Sequence, residues 1–194
     1  TQCPVCASAS IGLKLTANDH TVSQRAFEIW ECAKCTCCFT QDAPDEESIG
    51  KFYCSDNYIS HSNTSKGLVN RLYHSIRKIT LKQKLRLIKN STRLSTGSVL
   101  DIGAGTGSFA SFLQRAGWRL TGLEPDENAR MVARVSNNIT LLPAGHLFQF
   151  PDESFDAITL WHVLEHVHTL HPYMEQLKKL LKPNGRLFIA VPNY

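Results

Sequence analysis

The chain has 194 residues, of which 42% are hydrophobic and 20% charged, the composition of a globular protein with one sizeable core and a small accessory module. No apolar run is long enough to span a membrane and no signal-peptide pattern opens the chain, so we expect a cytoplasmic protein without a membrane partner. The net charge of +4 is unevenly placed, because nine Lys or Arg and no acidic residue occur between Asp56 and Asp101.

Two C-x-x-C pairs mark the N-terminal segment. Cys3 and Cys6 form the first pair, and Cys32 and Cys35 form the second. Each pair can direct two thiolates at one ion, and four thiolates complete a tetrahedral zinc site. Short strands are expected between the pairs, at residues 21–23 and 26–30. The sequence therefore predicts a zinc-ribbon-like module over residues 1–54, with a structural Zn²⁺ that helps a module of this size to fold.

The cysteines after the second pair leave another set of ligands open. Cys35 and Cys38 also form a C-x-x-C pair, so Cys37 or Cys38 could replace a predicted ligand. We favour Cys32 and Cys35 because they directly follow the apolar residues of an expected strand. The alternative for Cys37, Cys38 and Cys54 is that they act as small, partly buried apolar residues.

Residues 55–97 are predicted to form an aromatic and basic helical bridge. Their Lys and Arg side chains lie mostly off the apolar stripes, so two amphipathic helices with solvated basic faces are expected. The alternative is a docking surface for an anionic substrate or RNA. Apolar residues recur at helical spacing in two sets, which are Leu68, Leu72, Ile76 and Ile79, then Leu81, Leu85 and Ile88.

The stretch VLDIGAGTG at residues 99–107 joins an apolar strand to the start of a helix. Its alternate glycines allow the backbone to approach a ligand closely. A helix N-terminus presents unpaired N–H groups to the negatively charged part of a ligand. This arrangement is typical of a nucleotide-binding corner. The G-x-G-x-G spacing differs from the dinucleotide fingerprint, and the Asp101 carboxylate suits a cationic ligand better than a pyrophosphate.

Strands and helices alternate after this turn. Strands are expected at residues 119–124, 139–142, 154–161 and 186–191, with helices after residue 125 and over residues 173–181. Asp126 is the expected N-cap of the first of these helices. Glu124 ends a strand about twenty residues after the glycines, where an acid can accept hydrogen bonds from both hydroxyls of a ribose. The predicted fold class of residues 98–194 is therefore α/β, a doubly wound and mainly parallel sheet.

Five segments in this order resemble the successive motifs of class I S-adenosylmethionine-dependent methyltransferases: VLDIGAGTG, LEP, FPDESFDAI, WHVLEHV and LKPNGRLFIAVPN. The resemblance covers residues 95–194 and implies a Rossmann-like methyltransferase fold. The family sheet has further strands at its end, so the domain is expected to be incomplete. The CPVC module joined to such a domain is similar to that of small-molecule methyltransferases with a zinc-binding head.

The resemblance also implies roles for matching residues. Glu124 would hold the ribose of the cofactor, and Pro125 and Asp126 would flank its adenine. Relatives carry an Asp near the adenine where this chain has Ala144, so backbone N–H groups near Gly145 are expected to serve instead. Trp161 and His162 would face the transferable methyl group. The residues expected around the methionine end are Asp101, Gly103, Ala104, Gly105 and Gly107.

The segment HVLEH at residues 162–166 fits three patterns. It matches the H-x-x-E-H of zinc peptidases, but at a strand-to-helix junction His162 and His166 need not share a helical face. Ubiquinone-type O-methyltransferases have a similar E-x-x-E-H segment associated with a divalent cation, and His162 replaces its first Glu. As a third interpretation, His162 or His166 is a general base, since histidine suits that role near neutral pH. The alternative for His166 is simple packing against a backbone group.

The resemblance implies a methyltransferase that uses S-adenosylmethionine, with oxygen or carbon of a small molecule as the acceptor and zinc as a structural ion. One alternative is an RNA methyltransferase that docks through the zinc ribbon and the basic helices, with Lys82, Lys84 and Arg86 on its surface. Another is a non-catalytic module that binds S-adenosylmethionine or a protein partner.

Overall fold

The computed structural model describes residues 2–20, 22–45, 48–49 and 68–192, with the side chains of residues 68–75 left out of the description. The chain divides into two compact units, Thr1–Ser65 and Lys66–Tyr194. The predicted boundary between residues 54 and 55 lies outside the described residues, and so does Cys54. Within the described ranges, no helix is long and apolar enough to cross a membrane.

The first unit contains a three-stranded antiparallel sheet in the order β1, β2, β3. Strand β1 is Ile11–Asn18, β2 is Ala26–Cys32 and β3 is Cys38–Thr40. The register pairs Ile11 with Cys32 and Asn18 with Ala26. Strand β2 therefore ends at Cys32, the first residue of the second cysteine pair.

The strand expected at residues 21–23 is wrong. Val22 and Ser23 lie in a turn, where their N–H groups donate to the Asp19 carboxylate at 3.1 and 2.7 Å. Thr21 lies outside the described residues. An aspartate that accepts from the backbone a few residues later favours a turn over a strand. The partner of β2 is instead β1, which has no buried side chain and so gives a weak periodic signal.

The second unit is a parallel sheet with helices on both faces, which confirms the predicted fold class. Its strand order is β5, β4, β6, β7, and every pair is parallel. The strands are β4 (Ser98–Ile102), β5 (Arg119–Leu123), β6 (Phe155–Trp161) and β7 (Leu181–Ala190). The helices are α1 (Leu68–Thr92), α2 (Ser108–Arg115), α3 (Glu127–Asn137) and α4 (Leu170–Leu180), with short 3₁₀ helices at Ala144–Gln149 and Leu164–His166.

Strand β4 lies at the centre of the core, since all of its residues are buried. On one face of the sheet, Leu100 packs in a cluster with Leu177 and Leu180 of α4. On the other face, Val99 packs in a cluster with Ile88 of α1 and Leu113 of α2. The carboxyl ends of β4, β5 and β6 therefore meet at one edge of a well-packed sheet, the usual binding edge of such folds.

Residues 68–92 form one helix and not the two that the apolar stripes predict. No Gly or Pro interrupts this stretch, so the helical backbone hydrogen bonds continue through it without a break. Leu81, Leu85 and Ile88 pack against the sheet, as expected. Ile76 and Ile79 are more than half exposed, and the side chains of Leu68 and Leu72 lie outside the described residues.

The strand expected at residues 139–142 is reduced to a single bridge between Leu142 and Leu123. Leu142 donates its N–H to Gly122 O and accepts from Glu124 N, both at 2.9 Å. Pro143 follows, and it has no N–H to extend the ladder. The segment still touches β5 closely because the Leu141 side chain fills the space that a Cβ at Gly122 would need.

Candidate functional site

The three glycines of the turn after β4 all have left-handed φ angles, of 67°, 54° and 74° at Gly103, Gly105 and Gly107. A Cβ at Gly103 would lie 2.4 Å from Val163 Cγ2, and one at Gly107 would lie 2.9 Å from Ala133 Cβ. A Cβ at Gly105 would meet no atom within 4 Å. Gly103 and Gly107 are thus required by packing, whereas Gly105 is where the turn opens onto free space.

Glu124 follows β5 and contacts this turn. Its Oε2 accepts a hydrogen bond from Gly105 N at 2.7 Å, and its Oε1 accepts from Asp126 N at 3.0 Å. Burial raises the pKa of Glu124, while these two N–H groups favour the ionised form. The structure therefore holds a nearly buried carboxylate against the turn at the carboxyl edge of the sheet.

Residues 124–126 are fixed from both sides. Asp126 caps α3, as predicted, because its Oδ1 accepts from Asn128 N at 2.8 Å. Arg130 reaches back from the same helix, and its Nη1 donates to the carbonyl oxygens of Glu124 at 2.7 Å and Pro125 at 2.6 Å. Pro125 and Asp126 are exposed beside the edge of the site.

Asp101 is a buried acid inside the sheet. Its Oδ1 accepts a hydrogen bond from the Thr159 hydroxyl of the neighbouring strand at 2.6 Å. Burial raises the pKa of Asp101 to about 6, although the Thr159 hydrogen bond and the Lys84 charge act in the opposite direction. Glu124 raises the pKa of Asp101 a little further because the two acids repel.

A cleft of about 310 Å³ lies between the glycine turn and α1. Arg77 and Lys84 of α1 line it opposite Gly105 and Ala104. The Arg77 guanidinium donates to the Ser108 hydroxyl at the start of α2. The cleft is thus lined both by the predicted glycines and by two cationic side chains that the sequence did not place at the site.

Helical spacing could have placed Lys84 at the site. Lys84 follows Leu81 by three residues and precedes Ile88 by four, so the three side chains share one helix face. Ile88 is buried and Leu81 packs beside it, which turns Lys84 inward. Lys82 and Arg86 are exposed, so the proposed basic surface of these three residues is divided between two faces.

Trp161, at the end of β6, packs against the start of α2. Its ring meets that of Phe109 edge to face, with centroids 6.1 Å apart. Lys84 Nζ lies 4.2 Å from the Trp161 ring centroid. Among the described residues, the buried Trp161 Nε1 has no hydrogen-bond partner. The face of the indole ring is thus in contact with the Lys84 ammonium.

His162 occupies a strained position just beyond β6. Its φ is 59°, and its N–H donates to Ala190 O of β7 at 2.8 Å. Its side chain is 65% exposed, and its Nδ1 lies 3.7 Å from Glu165 Oε1. His166 is exposed on the following 3₁₀ turn. Left-handed φ angles are costly outside glycine and often occur at functional sites.

The structure does not gather the HVLEH segment into a metal site. Within the described ranges, the group of potential ligands whose donor atoms lie together consists of four cysteines and includes neither His162 nor His166. The zinc-peptidase interpretation therefore has no geometric support.

Gly145 lies on the 3₁₀ turn that follows Leu142. A Cβ there would meet no atom within 4 Å, so the backbone is open. His146 N donates to Pro143 O at 3.1 Å, which leaves that N–H occupied by the turn itself. Since Leu142 is hydrogen-bonded to Glu124 N, this turn begins beside the acid at the end of β5.

The structure brings together all four predicted zinc ligands. The Sγ atoms of Cys3, Cys6, Cys32 and Cys35 lie within 4.8 Å of one another. The Cys3–Cys35 and Cys6–Cys32 Sγ distances are 3.5 and 3.6 Å. A tetrahedral Zn–thiolate site with bonds of about 2.3 Å requires sulfur atoms about 3.8 Å apart, whereas a disulfide requires about 2.05 Å. The donor set and its spacing fit a zinc ion.

The two cysteine pairs have the same backbone geometry. Ala7 N donates to Cys3 O at 3.0 Å and Thr36 N donates to Cys32 O at 2.8 Å. Ala7 and Thr36, each directly after the second cysteine of its pair, have left-handed φ angles of 56° and 60°. This equivalence supports the favoured pairs, because Cys38 lies in β3 outside the repeated turn.

A parallel sheet with a glycine turn and an acid at its carboxyl edge defines an α/β protein of the nucleotide-binding kind. A family model described as a methyltransferase domain matches residues 73–194. The chain therefore belongs to the methyltransferase domain family.

Individual relatives are similar over part of the chain. A demethylmenaquinone methyltransferase of Tropheryma whipplei (strain Twist) is 35% identical over 96 residues, which cover 47% of this chain and 40% of that protein. A ubiquinone biosynthesis O-methyltransferase of Hydrogenovibrio crunogenus is 27% identical over 117 residues, which cover 57% and 48%. The chain thus spans less than half the length of these two relatives.

A solved structure supports the fold. A protein from Pyrococcus horikoshii OT3 aligns with a TM-score of 0.50 at 21% identity, covering 57% of this chain and 52% of the other. At this identity the likeness bears on architecture alone, and it agrees with the parallel sheet described above.

Proposed function

We propose that this protein transfers a methyl group from S-adenosylmethionine to the oxygen or carbon of a small molecule. The observation that carries the proposal is the contact between Glu124 and Gly105, which sets an anionic acceptor beside a backbone opening at the edge of a parallel sheet. Membership of the methyltransferase domain family supports it. The names of the relatives, a demethylmenaquinone methyltransferase and a ubiquinone biosynthesis O-methyltransferase, support a small-molecule acceptor.

The residues present fit S-adenosylmethionine. The open space at Gly105 is a cradle that any side chain would fill, and the Glu124 carboxylate has acceptor capacity beyond its two backbone bonds. Glu124 would hold the ribose, and Pro125, Asp126 and Gly145 would border the adenine. Arg77 supplies a guanidinium on the far wall of the cleft, which suits the carboxylate of the methionine end.

When bound, S-adenosylmethionine would supply a methyl group carried on a positively charged sulfur, and loss of the methyl group would leave that sulfur as a neutral thioether. The chain would contribute position: the glycine turn and Glu124 would hold the ligand, and in-line alignment of the acceptor with the methyl group would supply much of the rate. His162 is the candidate base for an acceptor proton, because it is exposed at the same sheet edge and Glu165 lies near its Nδ1. The turn that contains His162 packs against Gly103, and the contact is made by the side chain of Val163.

We further propose that the four-cysteine cluster holds a structural Zn²⁺. Four thiolates fill a tetrahedral site, so no coordination position is left for a water molecule or a substrate. The ion would join the N-terminal turn to the end of β2 and stabilise a small sheet with little buried surface.

Calorimetry with a matched pair of glycine variants tests the cofactor proposal. We expect one equivalent of S-adenosylhomocysteine to bind the unmodified protein. Gly105→Ala and Gly117→Ala both place Ala at a positive φ, of 54° and 87°, so both variants carry backbone strain. A Cβ at Gly117 would also lie 3.1 Å from Thr96 Cγ2, so the Gly117 variant is at least as demanding a control. Only Gly105 opens on the cleft, so its variant should lose affinity at least tenfold, or about 1.4 kcal/mol, while Gly117→Ala keeps it. Equal affinity in both variants would contradict the proposed site.

A further inference from the structure

Arg130 of α3 is bonded to the segment that carries the acid of the site. Its Nη1 donates to Glu124 O at 2.7 Å and to Pro125 O at 2.6 Å. Hydrogen bonds from a charged donor such as a guanidinium are stronger than those between two neutral groups. One charged group thus holds two successive carbonyl oxygens where the chain passes from β5 into α3.

These bonds complete the restraint of the Glu124 backbone. Glu124 N donates to Leu142 O at 2.9 Å, so the N–H side of the residue is held by the neighbouring segment. Glu124 O is held by Arg130. A backbone restrained on both sides limits where its side chain can point, and both carboxylate oxygens already accept from N–H groups. The orientation of the Glu124 carboxylate toward the glycine turn is therefore set before a ligand arrives.

The same face of α3 also contacts the glycine turn. Asn137 lies about two helical turns after Arg130, and its Nδ2 donates to Thr106 O at 2.7 Å. Ala133 lies between the two on this face, so close to Gly107 that a Cβ there would be 2.9 Å from Ala133 Cβ. One helix face therefore contacts both parts of the proposed cofactor site, with Arg130 on the side of the acid.

The position of Arg130 within α3 is not one that the helix itself favours. The helix begins at Glu127, so Arg130 lies at the end of its first turn. The N-terminal end of a helix carries a partial positive charge, which a cation does not stabilise. Burial raises the pKa of Glu124, and the Arg130 charge is among the influences that act against this rise. The contact with the acid segment accounts for an arginine at this position.

We propose that Arg130 is a positioning residue for cofactor binding, which acts by holding the Glu124 carboxylate in place for the ribose hydroxyls. This inference rests on the proposed function. Both hydrogens of the Arg130 Nη1 are used by the two carbonyl oxygens, so that group acts through the chain and not on the ligand. The same group holds Pro125, which is expected to border the adenine.

A double-mutant cycle of Arg130 and Glu124 tests this role. Calorimetry with S-adenosylhomocysteine at pH 7.5 compares the unmodified protein, Arg130→Met, Glu124→Gln and the double variant. We expect Arg130→Met to lower the affinity about fivefold or more in the unmodified background, but less than about twofold in the Glu124→Gln background, because residues that act as one unit are not additive. A purely structural role would give the same factor in both backgrounds.

Two further variants separate this contact from the loss of a charge in general. Arg134→Met removes an exposed arginine of the same helix and should bind as the unmodified protein does. Arg130→Lys keeps a cationic donor with enough hydrogens for both carbonyl oxygens. It should therefore bind S-adenosylhomocysteine more tightly than Arg130→Met does.

Equal losses in the two backgrounds would overturn the inference, because Arg130 would then act independently of Glu124. Unchanged affinity in Arg130→Met, an equal loss in Arg134→Met, or no recovery in Arg130→Lys would overturn it as well. If Arg130→Met does not fold, as judged by circular dichroism, Arg130→Gln replaces it, because the glutamine amide ends two bonds short of the Nη1 position.

If Glu124→Gln binds too weakly to measure, Glu124→Asp replaces it in the cycle, because it withdraws the carboxylate from the turn. Absence of binding to the unmodified protein would instead contradict the proposed function itself.

Discussion

The N–H of Gly105 and the carboxylate of Glu124 are 2.7 Å apart, although Gly105 follows β4 and Glu124 follows the neighbouring strand β5. This hydrogen bond unites the glycine turn and the acid into one rigid group. The second Glu124 oxygen is used by Asp126 N, so the carboxylate orientation is set from two sides. A preset acceptor lowers the cost of ordering the site when a ligand binds.

Replacement of this carboxylate should weaken cofactor binding. Glu124→Gln keeps the shape of the side chain but removes the charge, and its amide NH₂ cannot accept from Gly105 N or Asp126 N. We expect at least a tenfold loss of S-adenosylhomocysteine affinity by calorimetry. Glu127→Gln, at an exposed position of α3, is the control and should bind as the unmodified protein does. Equal affinities for both variants would remove Glu124 from the binding site.

Asp101 should make the folded state less stable as pH rises through the interval from about 4 to 6. Burial raises its pKa from 3.8 to about 6, so the folded chain retains a proton that the unfolded chain has released. Above pH 6 this difference amounts to roughly 3 kcal/mol against the folded state. Asp101→Asn removes the charge and can still accept from Thr159.

Urea unfolding at several pH values measures this effect. Relative to the unmodified protein, the free energy of unfolding of Asp101→Asn should increase between pH 4 and pH 7. The exposed Asp152→Asn serves as the control for the same replacement at the surface. A stability difference for Asp101→Asn that stays constant with pH would show that burial does not perturb this acid.

The cysteine cluster should contain one zinc ion per chain. Elemental analysis of the purified protein is expected to give one equivalent, and Cys32→Ser should lose it because a thiolate ligand is removed. Cys38→Ser should retain the ion, since Cys38 lies in β3 outside the cluster. Loss of zinc by Cys38→Ser with retention by Cys32→Ser would instead support the second set of ligands.

His162 should carry backbone strain that can be measured apart from its chemistry. A left-handed residue other than glycine costs roughly 1–2 kcal/mol. His162 has a φ of 59°, so His162→Gly should be more stable than His162→Ala by about 1 kcal/mol in urea unfolding. Both variants lack the imidazole, so their difference reports the backbone alone. Equal stabilities would mean that the turn relaxes when the side chain is removed.

Local sequence signals predicted the parts of the site that depend on neighbouring residues. The strand, glycine turn and helix start of residues 99–107 are found as expected, because apolar runs and glycines act over short distances. The capping role of Asp126 follows from the same kind of signal. Each C-x-x-C pair forms its own turn, which is a local feature as well.

Contacts between distant elements were beyond these signals. The different roles of Gly103 and Gly105 depend on Val163, which is sixty residues away from the first of them. The inward position of Lys84 depends on how α1 packs against the sheet, and the turn at residues 22–23 depends on the Asp19 side chain. Such packing decides which of several similar residues faces the site.

Hydrogen–deuterium exchange with and without S-adenosylhomocysteine tests the position of the cofactor site most directly. The proposed site predicts slower exchange on binding in peptides covering residues 101–109 and 77–84, which line the cleft beside the glycine turn. A second cleft, bordered by Asp152 and Lys179, provides the internal control and should exchange at an unchanged rate. Protection confined to that second cleft, or no protection anywhere at saturating ligand, would contradict the assignment.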